Sequence, residues 1–319
     1  LKVLRFITRR LGISILIVVL AVSLMFGMIH MIPGDPTSVI LGPRATPELR
    51  AELNQRMGLD QPVAVQLGRF LGNVARGDLG EDPFSRRPVA EIVFEQLPFT
   101  LMLVFTAIGA ATLLGVPLGC FSAIRRGSWL DRASAVMSVA FIAIPSFVVA
   151  LYALLLLSVR WRWFPAIGAG ESGDIADQVH HLVLPAMALG LGWIGYIARL
   201  VRSSMLEVME ENHVRTARAF GLPENVVIGR YALRIAILPT VTILGLGIGT
   251  MLSGALFAEI VFSRPGIGKL LHEAVMTRNY PVVMGSVLVT TVFFVISTLV
   301  SDILNAILDP RLRGAGDQQ

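Results

Sequence analysis

Six long apolar runs constrain this chain more than any other feature. They fall at residues 11–32, 99–124, 133–159, 182–204, 235–259 and 281–308, and the first three contain no Asp, Glu, Lys or Arg. A helix needs about 20 apolar residues to cross the hydrocarbon core of a bilayer. Hydrocarbon supplies no water to backbone N–H and C=O groups, so a crossing segment must satisfy them internally. The runs are too long and too uniform for barrel strands, which are short and alternate. The expected fold is an all-α integral membrane protein with six transmembrane helices. Charged residues form only 15% of the chain, against roughly 25% in soluble domains. The mean hydropathy is +0.71.

The first run follows a basic start, LKVLRFITRR, which fits a secretory signal. The run exceeds the usual apolar core of such a signal, and IPGDP follows it in place of a small-residue cleavage site. It is expected to be a retained span. Cys120, the single cysteine, lies in the second run, so no intrachain disulfide or cysteine metal cluster is available.

The positive-inside rule orients the chain. With both termini in the cytoplasm, the inner segments carry 15 Lys/Arg in 69 residues and the outer ones 12 in 108. The expected location is a cytoplasmic membrane, with several crossings. The pI near 10 then reflects topology, and no nucleic-acid partner is needed to explain it.

Three regions follow. Residues 1–98 hold the first span and an extracytoplasmic segment, 33–98. Residues 99–308 form a five-helix core with a cytoplasmic loop at 205–234, and 309–319 form a tail. In the outer segment, ATPELRAELNQRMG reads as a short helix with Thr46 as N-cap, Pro47 at its first position and Gly58 as its stop. A second helix is predicted from Val63, Leu67, Phe70, Leu71 and Val74 at helical spacing. GDLGEDPFSRRP is a turn-rich connector.

Two acids in or at the edge of spans are candidate pathway or gate residues, because charge at membrane depth is costly. Glu259 ends the fifth run. Asp302 lies in the sixth, within reach of the inner interface or of Arg199 or Arg202. Gly245 and Gly249 make a GxxxG step that suits close helix packing. GLGWIG at 190–195 matches a dinucleotide fingerprint in letters only, since it sits inside an apolar helix. GIGKLL at 266–271 lacks the Ser/Thr of a phosphate loop. The five histidines show no metal-ligand spacing. No catalytic, cofactor or metal site is expected in this chain.

One stretch breaks the apolar pattern. ENHVRTARAFGLPENVVIGRYALRIAILP, residues 211–239, is polar and basic between two spans. HVRTARAF reads as a short helix, Gly221 as its stop, and Pro223–Glu224 as the start of the next. Such a knob can pass force to the membrane if a cytoplasmic partner grips it. It is equally a solvated basic loop that obeys the charge rule.

The chain resembles the permease subunits of ABC importers, in particular the first of the two permeases of the dipeptide/oligopeptide family, which also serves nickel and glutathione. EENHVRTARAFGLP…ALRIAILP is similar to that family's EAA loop. RRLGISILIVVLAVSLMFGMIHMIPGDPT, GLDQP, GDLG, LPFTL, FAEIVFSRPGIGKLLHEAVMTRNYPVVMG and DPRLR match in order over nearly the whole chain. The resemblance implies the type I importer fold. It implies a second permease, two ATPase subunits that carry the ATP and Mg, and an extracytoplasmic binding protein. It makes 211–222 an ATPase-coupling loop, with Glu211, Val214, Arg215, Thr216, Ala217, Ala219, Gly221 and Leu222 as coupling residues. A side chain at Gly221 is expected to block the tight exit from the knob. Asn212–His213, Phe220 and Ile235 depart from the family pattern, and polar contacts at those positions are not carried over. The stretch after GDLG departs too, at a candidate contact for the binding protein. Cargo is not set by any motif: dipeptides, oligopeptides, nickel, haem and glutathione stay open.

Overall fold

The computed structural model describes residues 2–31, 46, 48 and 61–308. The IPGDP and DPRLR motifs lie outside the described residues, as does the helix predicted at 46–58 apart from Thr46 and Glu48. Among the described residues there is no strand, only an isolated bridge between Glu81 and Pro88.

The helices are α1 (Lys2–Met31), α2 (Val63–Val74), α3 (Val89–Ile124), α4 (Trp129–Ala143) and α5 (Ser146–Ala153). The last runs on through a wider π turn, Leu154–Arg160. Then come α6 (Ile175–Met209), α7 (Asn212–Ala219) and α8 (Glu224–Val226), which widens over Val227–Ala232 and becomes α9 (Leu233–Ala236). The chain ends with α10 (Leu238–Val261), α11 (Ile267–Met276) and α12 (Tyr280–Leu308). Five helices are long and apolar enough to cross a membrane; α4 and α5 together make a sixth, bent by 96° at Ile144–Pro145. The uninterrupted span expected at 133–159 is therefore a broken one. Proline lacks the N–H that would continue the ladder and turns its predecessor away from helical geometry.

The second boundary also moves. Helix α3 begins at Val89, ten residues before its apolar run, so 89–98 belongs to a helix and not to the outer connector. Its polar first turns are held by Arg87, which reaches Glu91 at 2.8 Å and also bonds Glu95. Helix α2 forms where its apolar spacing placed it.

The chain divides into two compact units. One comprises residues 1–100 and 265–295. Its hub is Asp82, 7% exposed. Its carboxylate accepts from the Phe84 and Ser85 N–H groups at 3.1 Å, from the Ser85 hydroxyl, and from Asn279 Nδ2 at 2.7 Å. Burial pushes the Asp82 pKa up, but these hydrogen bonds outweigh it and hold the group below its ordinary value. Thr100 Oγ1 accepts from the Ile267 N–H at 2.8 Å and fixes the start of α11.

The other unit comprises 101–264 and 296–319. Its helices pack backbone to backbone at small residues. A Cβ on Gly119 would lie 2.5 Å from the Ala198 carbonyl oxygen, and one on Gly195 2.6 Å from that of Ser138. Helix α6 thus lies tightly against α3 and α4. Gly245 of the GxxxG step faces Ser301, whose Cβ would stand 2.0 Å from an added Cβ.

Candidate functional site

Helix α7 is a projection built from both of its flanks. Its inner face, Val214 and Ala217, is buried at 0% and 4% exposure. These residues join a cluster with Val201, Met205 and Val208 of α6 and with Val227, Ala232 and Ala236 beyond the knob; Leu222 packs against it. The knob closes with a Schellman-type cap. The Leu222 N–H donates to the Ala217 carbonyl at 3.3 Å and the Gly221 N–H to that of Arg218 at 2.9 Å, with Gly221 at φ 72°.

Polar ties fasten the same knob. Arg218 holds Glu224 in a two-pronged contact at 2.7 and 3.3 Å. The Arg218 hydrogen bonds lower the Glu224 pKa, and those to Glu224 raise that of Arg218. His213 Nδ1 lies 3.1 Å from Glu211, and its Nε2 lies 3.3 Å from the Tyr231 carbonyl.

The eight sequence-predicted coupling residues fall into two sets. Val214, Ala217 and Leu222 face inward and anchor the knob. Arg215, Thr216, Ala219 and Gly221 are exposed, and Glu211 is half-buried at the entrance. Phe220, passed over as a departure from pattern, is 81% exposed at the tip. Large bare aromatics at a projecting end suit docking. The reason given for Gly221 is corrected by the geometry. A Cβ there meets nothing within 4 Å, so the exit is not blocked; the positive φ alone makes glycine the favoured residue.

Behind the knob lies a charged clamp that sequence reading missed. Asp131, 4% exposed, accepts from Arg202 Nε at 2.6 Å and Nη2 at 2.9 Å. It also accepts from the Ser122 hydroxyl at 2.5 Å and the Gly127 N–H at 2.9 Å. The clamp fastens α3, the turn after it, and α4 to the C-terminal half of α6. Arg202, named with Arg199 as a possible partner of Asp302, binds Asp131. Asp302 itself is half-buried on α12.

Glu259 is fully buried at the end of α10, and its carbonyl accepts from the Arg264 N–H at 2.9 Å. Arg264 is 1% exposed, and neither its Nε nor its Nη1 meets an acceptor among the described residues. Burial pushes its pKa down, and the Glu259 charge opposes that. Sequence reading found the acid and not the arginine, because burial of a residue just outside an apolar run has no periodic signature.

Several membrane-length helices and a projection packed against its two flanks define a polytopic membrane protein. Residues 115–314 match the family model for the binding-protein-dependent transport system inner membrane component, and 3–104 match the model for its N-terminal region. The dipeptide transport system permease protein DppB of Escherichia coli (strain K12) is 38% identical over 97% of this chain and 99% of its own length. The glutathione transport system permease protein GsiC of Salmonella typhimurium (strain LT2) is 37% identical over 96% of this chain and 97% of its own. An inward-facing structure of the MetNI methionine ABC transporter has the same fold, with a TM-score of 0.55 at 20% identity over 68% of this chain and 95% of that one. The chain belongs to the family of binding-protein-dependent transport system inner membrane components. It is an ABC-importer permease with several membrane crossings in the inner membrane, and it works with ATPase and substrate-binding partners.

Proposed function

We propose that this permease imports short peptides as one of two different permease subunits, served by two ATPase subunits and an extracytoplasmic binding protein. The observation that carries the coupling part is the two-sided α7. Its inner face is locked into α6 and the run toward α10, while Arg215, Thr216, Ala219 and Phe220 stand exposed on the other side. A partner that grips the outer face moves both flanking spans together. ATP-driven closure of the ATPase pair then displaces α7, opens the pathway outward to receive cargo, and hydrolysis resets it. ATP and Mg stay with the ATPase subunits, and this chain carries out no catalysis.

The names of the relatives support a peptide cargo. One is a dipeptide permease, and the other serves glutathione, itself a small peptide. Glutathione is the second reading, since the identities differ by a single percentage point. The charge asymmetry supports cytoplasmic termini and an α7 on the ATPase side.

The test is reconstitution of the chain with a second permease and ATPase subunits from the same source. ATP hydrolysis is measured with binding protein loaded with dipeptides, with glutathione, or with neither. Dipeptide stimulation is the expected result. Stimulation by glutathione alone selects the second reading, and stimulation by neither removes the peptide cargo.

A further inference from the structure

The broken span opens a recess of about 340 Å³ among α4, α5, α6 and α10. Its walls include Ile144 and Ser146 at the break, Gly192, Trp193 and Tyr196 of α6, and Gly254 of α10. No charged side chain lines it among the described residues. The two rings stand edge to face, with centroids 5.6 Å apart at 63°. The volume lies at the small end of the roughly 300–1,000 Å³ typical of ligand sites.

The break adds backbone polarity to the hydroxyls of Ser146, Tyr196 and Thr250. The last turn of α4 leaves the carbonyls of Phe141, Ile142 and Ala143 without intrahelical donors, Pro145 has no N–H to offer, and of these three residues Ile142 lines the recess. The Phe141 carbonyl lies against Gly192, where an added Cβ would stand 3.3 Å from it. Irregular backbone at membrane depth is tolerated where it lines a cavity, and broken helices place such groups beside transported solutes. A lipid tail has no donor for these carbonyls. A peptide has backbone N–H groups for them and an apolar or aromatic side chain for the rings. The neutral walls offer nothing to hold its charged termini.

We propose that this recess is a transit site for one uncharged side chain, with its adjoining amide, of a peptide crossing the membrane. It sets an upper limit on side-chain size. The proposal rests on the peptide reading above. Helix α6, which lines the recess, leads directly into the α7 knob.

Gly254 is the position at which to test it. A Cβ there meets only Leu189 Cδ1, at 2.9 Å, the movable end of a side chain that itself lines the recess. Gly254→Ala and Gly254→Val therefore fill the space in two steps without forcing the backbone. Uptake of dialanine and of leucyl-tryptophan is compared in the reconstituted assembly, with ATPase stimulation by each loaded binding protein as the control for coupling. Gly254→Val is expected to cut leucyl-tryptophan uptake about tenfold or more while dialanine stays within about twofold, with Gly254→Ala between. Equal loss of both peptides with intact assembly makes Gly254 a packing residue and overturns the proposal. No change in either means that something else fills the recess, such as the second permease, and overturns it too. A wild-type assembly that takes neither peptide removes the peptide reading itself, and this proposal with it.

Discussion

Gly221 closes the α7 knob with a left-handed turn. Its φ of 72° and the open space around an added Cβ make the demand purely conformational. A left-handed backbone costs an ordinary L-residue about 1–2 kcal/mol, and Asn and Asp less. Gly221→Asn should keep nearly normal ATPase stimulation by loaded binding protein, whereas Gly221→Val should lower both stimulation and the melting temperature of the assembly. Equal performance of the two variants would show that the turn is not the constraint. Asp82 makes a second residue-scale case, with a sign that can be worked out. Its folded pKa is depressed from 3.8. Its contribution is therefore complete above the unfolded value and lost as pH falls through the folded one. Protease resistance of the connector at 78–88 should be flat from pH 7 to about 5 and fall below about 4. Asp82→Asn should be less resistant at pH 7 and should lack that acid step; an unchanged acid step would place the titrating group elsewhere.

At the scale of elements, α7 is eight residues held by two buried side chains and a cap, too short to persist alone in water. Val214→Ala removes contact area from the anchor and should cost about 1–3 kcal/mol, read as a lower melting temperature. Phe220→Ala touches no core and should leave the melting temperature alone while weakening ATPase attachment. If the two variants behave alike, the inner and outer faces do not have separate roles. The apolar runs made most spans legible, because solvent preference is written into every residue of a span. Their ends were less legible. The start of α3 extends into polar sequence because Arg87, Glu91 and Glu95 stabilise it from outside, and apolar periodicity is blind to such pairs. The break in α4–α5 had a signal in Pro145 that the unbroken run of apolar residues overrode. The Asp131–Arg202 clamp joins residues 71 positions apart, and Arg264 is buried by neighbours that no local pattern specifies. Pairings of that kind belong to the folded chain and cannot be read from spacing.

For the molecule as a whole, the orientation decides what the rest can mean. If α7 lies in the cytoplasm, an ATPase can reach Phe220 and Arg215, and the charge rule puts the turn around Arg86 on the outer side. If the chain is inverted, neither statement survives. The Lys/Arg asymmetry predicts α7 inside. The sequence makes a direct measurement simple, because Cys120 is the single cysteine and is buried in α3 at 9% exposure. Cys120→Ala removes even that thiol. Single cysteines can then be placed at Phe220 and at Arg86, both exposed. A membrane-impermeant maleimide applied to intact spheroplasts should label Arg86→Cys fully and Phe220→Cys only after the membrane is opened. The reverse pattern would put the knob on the outer side and leave the ATPase nothing to grip. Labelling of both in intact spheroplasts would mean mixed insertion, and the positive-inside reading would fail for this chain.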